Sequence, residues 1–221
     1  MADKAITYGA SEGFGAHAGF KSKGTNDNTQ FARAVAMDDK GDEVVSHLHD
    51  EKQEVSTNYE CNNNTNAIPA AIGALVNSLI LTGNNISTSA EGYAQMALTG
   101  HNHTKNAHAA SPALRTATHG KTVTKAFGCT DFLGGTAGDN ASPISSSLNI
   151  QCDHADQNDA DGDHLVGENH NFRMEAKTTW AGVPTLAAEA GWDVTVESTV
   201  DENTGFVKTE VTGIKKLSVA A

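Results

Sequence analysis

The amino-acid sequence predicts an all-β, mainly antiparallel protein of β-sandwich or barrel-like form. It predicts two tandem similar β-units, each with one short helix, behind an extended N-terminal arm. Three observations lead there. The second half repeats the first in pattern: Gly41-Asp42-Glu43-Val44-Val45 returns as Gly162-Asp163-His164-Leu165-Val166, and His49, Glu54, Thr57 and Tyr59 meet His170, Glu175, Thr178 and Trp180 in the same register. Several short runs alternate apolar and polar residues, the period of a half-buried strand. The composition, with 21 Gly and 5% aromatics, suits short strands and tight turns better than long helices.

The clearest strand is 171–180, where Phe172, Met174, Ala176, Thr178 and Trp180 share one face and Asn171, Arg173, Glu175, Lys177 and Thr179 the other. Before it, Leu148, Ile150 and Cys152 alternate with Asn149 and Gln151; after it come Trp192, Val194 and Val196, then the run 206–214. Four such strands suit a meander or Greek-key unit. The segment 184–191 begins with Pro184 and ends with Gly191, the asymmetry of a short helix, and the alanine-rich stretch 69–75 is its counterpart. In the first copy the strands fall at 30–37, 51–61, 78–82 and 93–99, with Gly92-Tyr93 and Leu98-Thr99-Gly100 returning as Gly205-Phe206 and Val211-Thr212-Gly213. The division is thus an N-terminal arm over 1–29, a first β-unit over 30–103, a histidine-containing connector over 104–120 and a second β-unit over 121–221.

Charge and cysteine usage exclude several classes. A net charge of −12, with no run among the 15 Lys and Arg, argues against a general nucleic-acid binder. The three cysteines, Cys61, Cys129 and Cys152, form no CxxC pair and suit a reduced, cytosolic product in which each is a small buried hydrophobe. The start Met-Ala-Asp-Lys has no apolar signal core, and the longest apolar run, 68–81, falls short of the roughly 20 residues of a membrane span. The expectation is a soluble protein with no membrane span.

Two stretches carry metal-ligand residue types. From Gln157 to Glu168 the chain approaches a calcium loop: Asp159, Asp161 and Glu168 supply oxygen ligands around Gly162, but Gln157 holds the first position and the flanks read as strands. The alternative is an acidic, solvated turn in which Gly162 supplies positive φ; in the first copy Lys40 stands where a ligand would be. His101, His103, His108 and His119 resemble a transition-metal tract, with no Cys or acidic ligand close by in sequence; the alternative is a surface loop or subunit contact. His49 and His170 are equivalent in the repeat, which favours an inherited structural position over acid/base catalysis. Tyr59 and Trp180 read as core or interface anchors, and Gly134-Gly135 lacks the Lys-Ser or Lys-Thr of a phosphate loop. No enzyme signature and no cofactor is expected.

The strings SLNIQCDHADQNDADGDHLVGENHNFRMEAKTTW, GWDVTVES, GFVKTEVTGIKK and GALVNSLILTG…GYAQMALTGHNH resemble tail proteins of bacteriophages and prophages, in particular major tail tube proteins. The resemblance implies a virion structural protein, made in the host bacterial cytoplasm, that associates with itself and with other tail proteins. Its rings, hexamers or pseudo-hexameric trimers, would stack into a tube that DNA passes without sequence-specific binding. The family carries no catalytic residues to transfer, and an acidic lumen would not grip phosphates. Three other readings fit parts of the pattern: a calcium- or carbohydrate-binding β-sandwich module using Asp159, Asp161 and Glu168, a metal-dependent enzyme using His101, His103 and His108, and a capsid decoration or neck protein.

Overall fold

A computed structural model describes residues 13–68, 71–103, 114–137, 141–187, 189–200 and 205–220. The chain is all-β, every pairing is antiparallel, and no helix occurs among the described residues. Consequently none of them forms a helix long and apolar enough to cross a membrane.

Eight long strands build the main sheet: β1 (Phe20–Met37), β2 (Glu43–Cys61), β5 (Leu79–Ser89), β6 (Gln95–His103), β10 (Ser142–Asn158), β11 (His164–Ala181), β13 (Asp193–Val200) and β14 (Val207–Lys216). They lie in the order β1-β2-β6-β5-β10-β11-β14-β13, and β4 (Leu75–Val76) adds to β5. The sheet does not close into a barrel. Pairs of two-residue strands join the connecting segments: β3 (Asn66–Ala67) with β8 (Thr122–Val123), β7 (Thr116–Ala117) with β15 (Val219–Ala220), and β9 (Gly135–Thr136) with β12 (Thr185–Leu186).

The core follows from the alternation. Phe172, Met174, Ala176, Thr178 and Trp180 are all buried on β11, as are Leu148, Ile150 and Cys152 on β10, while their odd-register neighbours reach the surface. This face packs against Phe14, Ile72, Ala117, Val123, Phe132, Leu133 and Trp192 from the connecting segments. A sheet with one apolar face is stable only when covered, and here irregular chain does the covering.

Hairpins β1–β2 and β10–β11 agree in detail. Each has three register shifts, Ser22/Gly24, Gln30/Ala32 and Ala36/Met37 in one, Pro143/Ser145, Gln151/Asp153 and Gln157/Asn158 in the other, all at the offset that relates Gly41 to Gly162. The same offset links the positive-φ residues Asp50 (51°) and Asn171 (52°), and the cross-strand hydroxyl pairs Thr25–Thr57 (3.2 Å) and Ser146–Thr178 (2.7 Å). Gly41 and Gly162, at φ 84° and 82°, turn the two hairpins in the left-handed region that L side chains avoid.

Several expectations need correction. The expected helix at 184–191 is instead the extended pair Thr185–Leu186 followed by a turn; Pro184 and Gly191 bracket a β-connection as readily as a helix. Its counterpart places Leu75–Val76 in strand β4, while Pro69 and Ala70 lie outside the described residues. Within the stretch assigned to an N-terminal arm, the chain is already strand from Phe20; residues 1–12 lie outside the described ones. The polar start of β1 is held by cross-strand pairs that hydropathy does not register: Gln53 Nε2 donates to Asp27 Oδ2 at 2.9 Å, and Gln30 Nε2 to Glu54 Oε2 at 3.3 Å.

Candidate functional site

The β10–β11 turn uses the carboxylate that the calcium-loop reading reserves for metal. Asp159 Oδ1 accepts from the amides of Asp161 (2.9 Å) and Asp163 (3.0 Å), and the Gly162 amide donates to the Asp159 carbonyl at 3.2 Å. The β1–β2 turn makes the same bonds, with Asp38 Oδ1 accepting from Lys40 and Asp42, both at 2.9 Å. Glu168 lies on β11 opposite Ala155, where its Oε1 accepts from Arg115 Nη1 at 3.2 Å. The groups of three metal-type ligands with atoms mutually within 4.8 Å lie elsewhere among the described residues: His101, His154 and Asp156, and His103, Asp156 and His164.

These five side chains meet where the sheet loses a strand. β5 pairs with β10 only from Ser89–Ser145 to Gly83–Gln151 and with β6 as far as Ile80–His101, whereas β6 runs on to His103 and β10 to Asn158. Beyond β5 the gap between β6 and β10 is filled by side chains. His101 and His103 stand two apart on one strand and His154 and Asp156 two apart on the other, so each pair projects from one face of its strand. His164 enters from the start of β11.

The Asp156 carboxylate is the hub. Its Oδ1 lies 2.8 Å from His154 Nε2 and 3.1 Å from His164 Nε2, and its Oδ2 lies 3.4 Å from His103 Nε2. His103 Nδ1 faces a second carboxylate, Asp50 Oδ1, at 3.4 Å. The His103 and His164 rings stack with centroids 4.1 Å apart, and His101 meets His154 edge-on at 4.6 Å. His101, His103 and His164 are buried. Gly167, opposite Asp156 on β11, makes room: a Cβ there would overlap His154 Nε2 and lie 2.7 Å from Asp156 Oδ1.

Asn169 fixes the orientation of His154. This fully buried amide donates through Nδ2 to the carbonyls of Gly73 (3.0 Å) and Arg115 (3.1 Å). Its Oδ1 is therefore an acceptor, and at 2.6 Å it takes the Nδ1 hydrogen of His154, turning Nε2 toward Asp156. Burial by itself would raise the Asp156 carboxyl, but the facing imidazoles of His103 and His154 overcome it and hold the group well below the usual carboxylate range. Burial likewise opposes charge on His154, yet Asp156 and Asn169 outweigh it and raise its pKa. Chemically the cluster is an anionic oxygen surrounded by imidazole nitrogen, suited to a proton or to a borderline transition-metal ion.

Of the histidines singled out in the sequence, the structure brings His101 and His103 into this cluster as strand residues. His108 lies outside the described residues. His119 is engaged elsewhere, its Nδ1 accepting from the Lys121 amide at 3.1 Å. His170 is exposed on β11, and the His49 ring rests against Gly162, where the Asp50 amide also donates to Asp163 Oδ1 at 3.2 Å. Sequence reasoning missed His154, Asp156 and His164. The only signal was the His-x-Asp spacing on a strand, matching His-x-His on another, with no means of knowing that the two strands flank a gap.

Tyr59 and Trp180 are core residues, each 1% exposed, and Tyr59 Oη donates to the Gly15 carbonyl at 2.9 Å. Gly135 supports the Trp180 ring, which would stand 2.6 Å from a Cβ at that position. The remaining features of note are the two sheet edges. Among the described residues β1 and β13 each have one main-sheet neighbour, so within that set both stand at an edge of the sheet. The outer part of hairpin β1–β2 is exposed along both strands and carries Phe31, Val35, Met37, Val44, Val45 and Leu48. No known family model matches the chain, and no characterised protein resembles it closely enough to count as a match.

Proposed function

We propose that this protein is a structural subunit of the tail tube type, which associates head to tail through its sheet edges into rings that stack as a conduit. The observation that carries the reading is the strand order. It divides into β1-β2-β6-β5 and β10-β11-β14-β13, the same hairpin-then-crossed-pair sequence twice, joined edge to edge by β5 and β10. The shared register shifts, turns and hydroxyl pairs support two similar units within one sheet.

The joint between the units is the template for a joint between chains. β13 occupies in the second unit the place of β5 in the first, and β1 the place of β10. Pairing β13 of one chain with β1 of the next repeats the internal joint, a heterologous contact that closes into a ring if the rotation per unit divides a full turn. The exposed apolar residues on hairpin β1–β2 then find cover on neighbouring subunits, and the net charge of −12 suits a lumen through which DNA slides.

Negative-stain microscopy and light scattering of the purified protein test this reading. Rings or tubes are expected; a particle that stays monomeric over a wide concentration range overturns it.

A further inference from the structure

We propose that His101, His154 and Asp156 bind one divalent transition-metal ion of the Zn²⁺ class, which ties β6 to β10 across the gap that β5 leaves in the sheet. This site is independent of the assembly reading: it draws all its ligands from within one chain.

The donor set comes first. Two imidazole nitrogens and a carboxylate oxygen lie mutually within 4.8 Å, and this mixture of ligands suits Zn²⁺, Co²⁺ or Ni²⁺ rather than Ca²⁺ or Mg²⁺, which prefer oxygen alone. Donors around a tetrahedral ion with bonds of about 2.0–2.2 Å are about 3.3 Å apart, so the site closes on an ion with side-chain movements on the order of 1 Å.

A second observation is the support behind the ligands. A metal-binding imidazole characteristically donates its other N–H to a carbonyl or carboxylate, which fixes the ring and raises its basicity. Asn169, anchored by the Gly73 and Arg115 carbonyls, does this for His154 and leaves Nε2 aimed at Asp156. His103 Nε2 faces Asp156 Oδ2, and His164 Nε2 shares Oδ1 with His154, so the carboxylate is held at both oxygens. Gly167 keeps clear the space that a side chain would take.

Access is the third. A cleft lined by Asn26, Lys52, Glu54, Thr99, His101 and His154 opens beside the two imidazoles and gives an ion a path and room for a water as fourth ligand. The consequence is mechanical. β6 and β10 belong to different halves of the sheet, and among the described residues the β5–β10 ladder ends at Gly83–Gln151 while β5 stays with β6 as far as Ile80–His101; an ion there links the two halves past the end of that ladder.

The test uses the full chain purified without an affinity tag and stripped with a chelator. Co²⁺ is titrated with its visible ligand-field bands as readout, followed by displacement with Zn²⁺, calorimetry and thermal melts. One equivalent is expected to bind with the intensified bands of four- or five-coordinate Co²⁺, and a hundredfold excess over Kd is expected to raise Tm by about 5–10 °C.

His154→Ala and Asp156→Asn should each weaken binding at least about 100-fold, and Asn169→Ala, which touches no metal, about 10–100-fold. His47→Ala/His49→Ala, a neighbouring histidine pair outside the site, should leave it unchanged. Absence of the Co²⁺ bands in the wild type, or unchanged affinity in both His154→Ala and Asp156→Asn, overturns the proposal. Where a ligand variant loses its β-sheet circular dichroism, His101→Gln is read in its place by the same criteria.

Discussion

The head-to-tail joint makes a prediction at the level of single residue pairs. Asp27 pairs with Val55 as Leu148 pairs with Ala176, and Ser198 pairs with Thr209 as Ile86 pairs with Met96. Since Leu148 faces Ile86 in the internal joint, Asp27 of one chain should face Ser198 of the next. The internal ladder runs from Ser145–Ser89 to Gln151–Gly83, seven residue pairs. At about 0.5–1.5 kcal/mol net per backbone hydrogen bond and about one bond per pair, a ladder of that length contributes about 4–10 kcal/mol, which does not exceed the roughly 4–15 kcal/mol that association costs. A single joint is therefore weak outside a closed ring and is best trapped covalently.

In the doubly substituted Asp27→Cys/Ser198→Cys protein, opposed Cβ atoms would lie about 4.5–5.5 Å apart, a small adjustment from disulfide geometry, whereas diagonal partners two residues along lie about 7–8 Å apart. Mild oxidation followed by non-reducing electrophoresis should yield a ladder of covalent oligomers ending at the ring. The displaced pairs Asp27→Cys/Val196→Cys and Asp27→Cys/Val200→Cys should cross-link at least about tenfold more slowly, by the same distances. Native thiols add little background, because Cys61, Cys129 and Cys152 are all buried. Failure to form any ladder, or equal cross-linking by Ser198→Cys alone through paired β13 edges, would refute the reasoning.

Other consequences are simpler to measure. Gly100→Ala should destabilise more than Gly213→Ala in urea unfolding, by about 1–3 kcal/mol. A Cβ at Gly100 would overlap the Ile80 carbonyl oxygen, which cannot move, whereas at Gly213 it meets the side chains of Leu133 (2.6 Å) and Trp192 (3.0 Å). Asp159→Ala, assayed with excess chelator, should cost about 1–3 kcal/mol, because the carboxylate accepts two turn amides with no ion present. Burial pushes the Cys152 thiol up to about 12, so the folded protein should resist alkylation there at pH 8, with reactivity rising only as pH climbs toward that value or on unfolding; rapid labelling of native protein at pH 8 would contradict the burial.

Particular residues show how far the sequence could be read. The β11 alternation was legible because one face is buried and the other wet, so hydropathy records the geometry directly. The turns at Gly41 and Gly162 were legible because a left-handed backbone favours glycine. The first part of β1, residues 20–29, was not, since Asp27 is held in the strand by Gln53 on β2, a partner that hydropathy does not see. The apparent helix at 184–191 failed because Pro and Gly punctuate both helices and turns, and the pairing of Thr185–Leu186 with Gly135–Thr136 is a long-range contact that overrode the local signal.

By itself, then, the sequence determined what depends on neighbours along the chain: the all-β class, the buried faces of β10 and β11, the turn glycines and the echo between the two halves. The tertiary structure alone decided which strands are edges, that β5 stops short of its neighbours, and that His101 and His103 meet His154, Asp156 and His164 in the space beyond it. The reason is that a strand's face is set by a period of two residues, whereas its neighbours are set by which distant segment satisfies its backbone. Side chains of opposite chemistry, far apart in sequence, become a cluster only when that choice has been made.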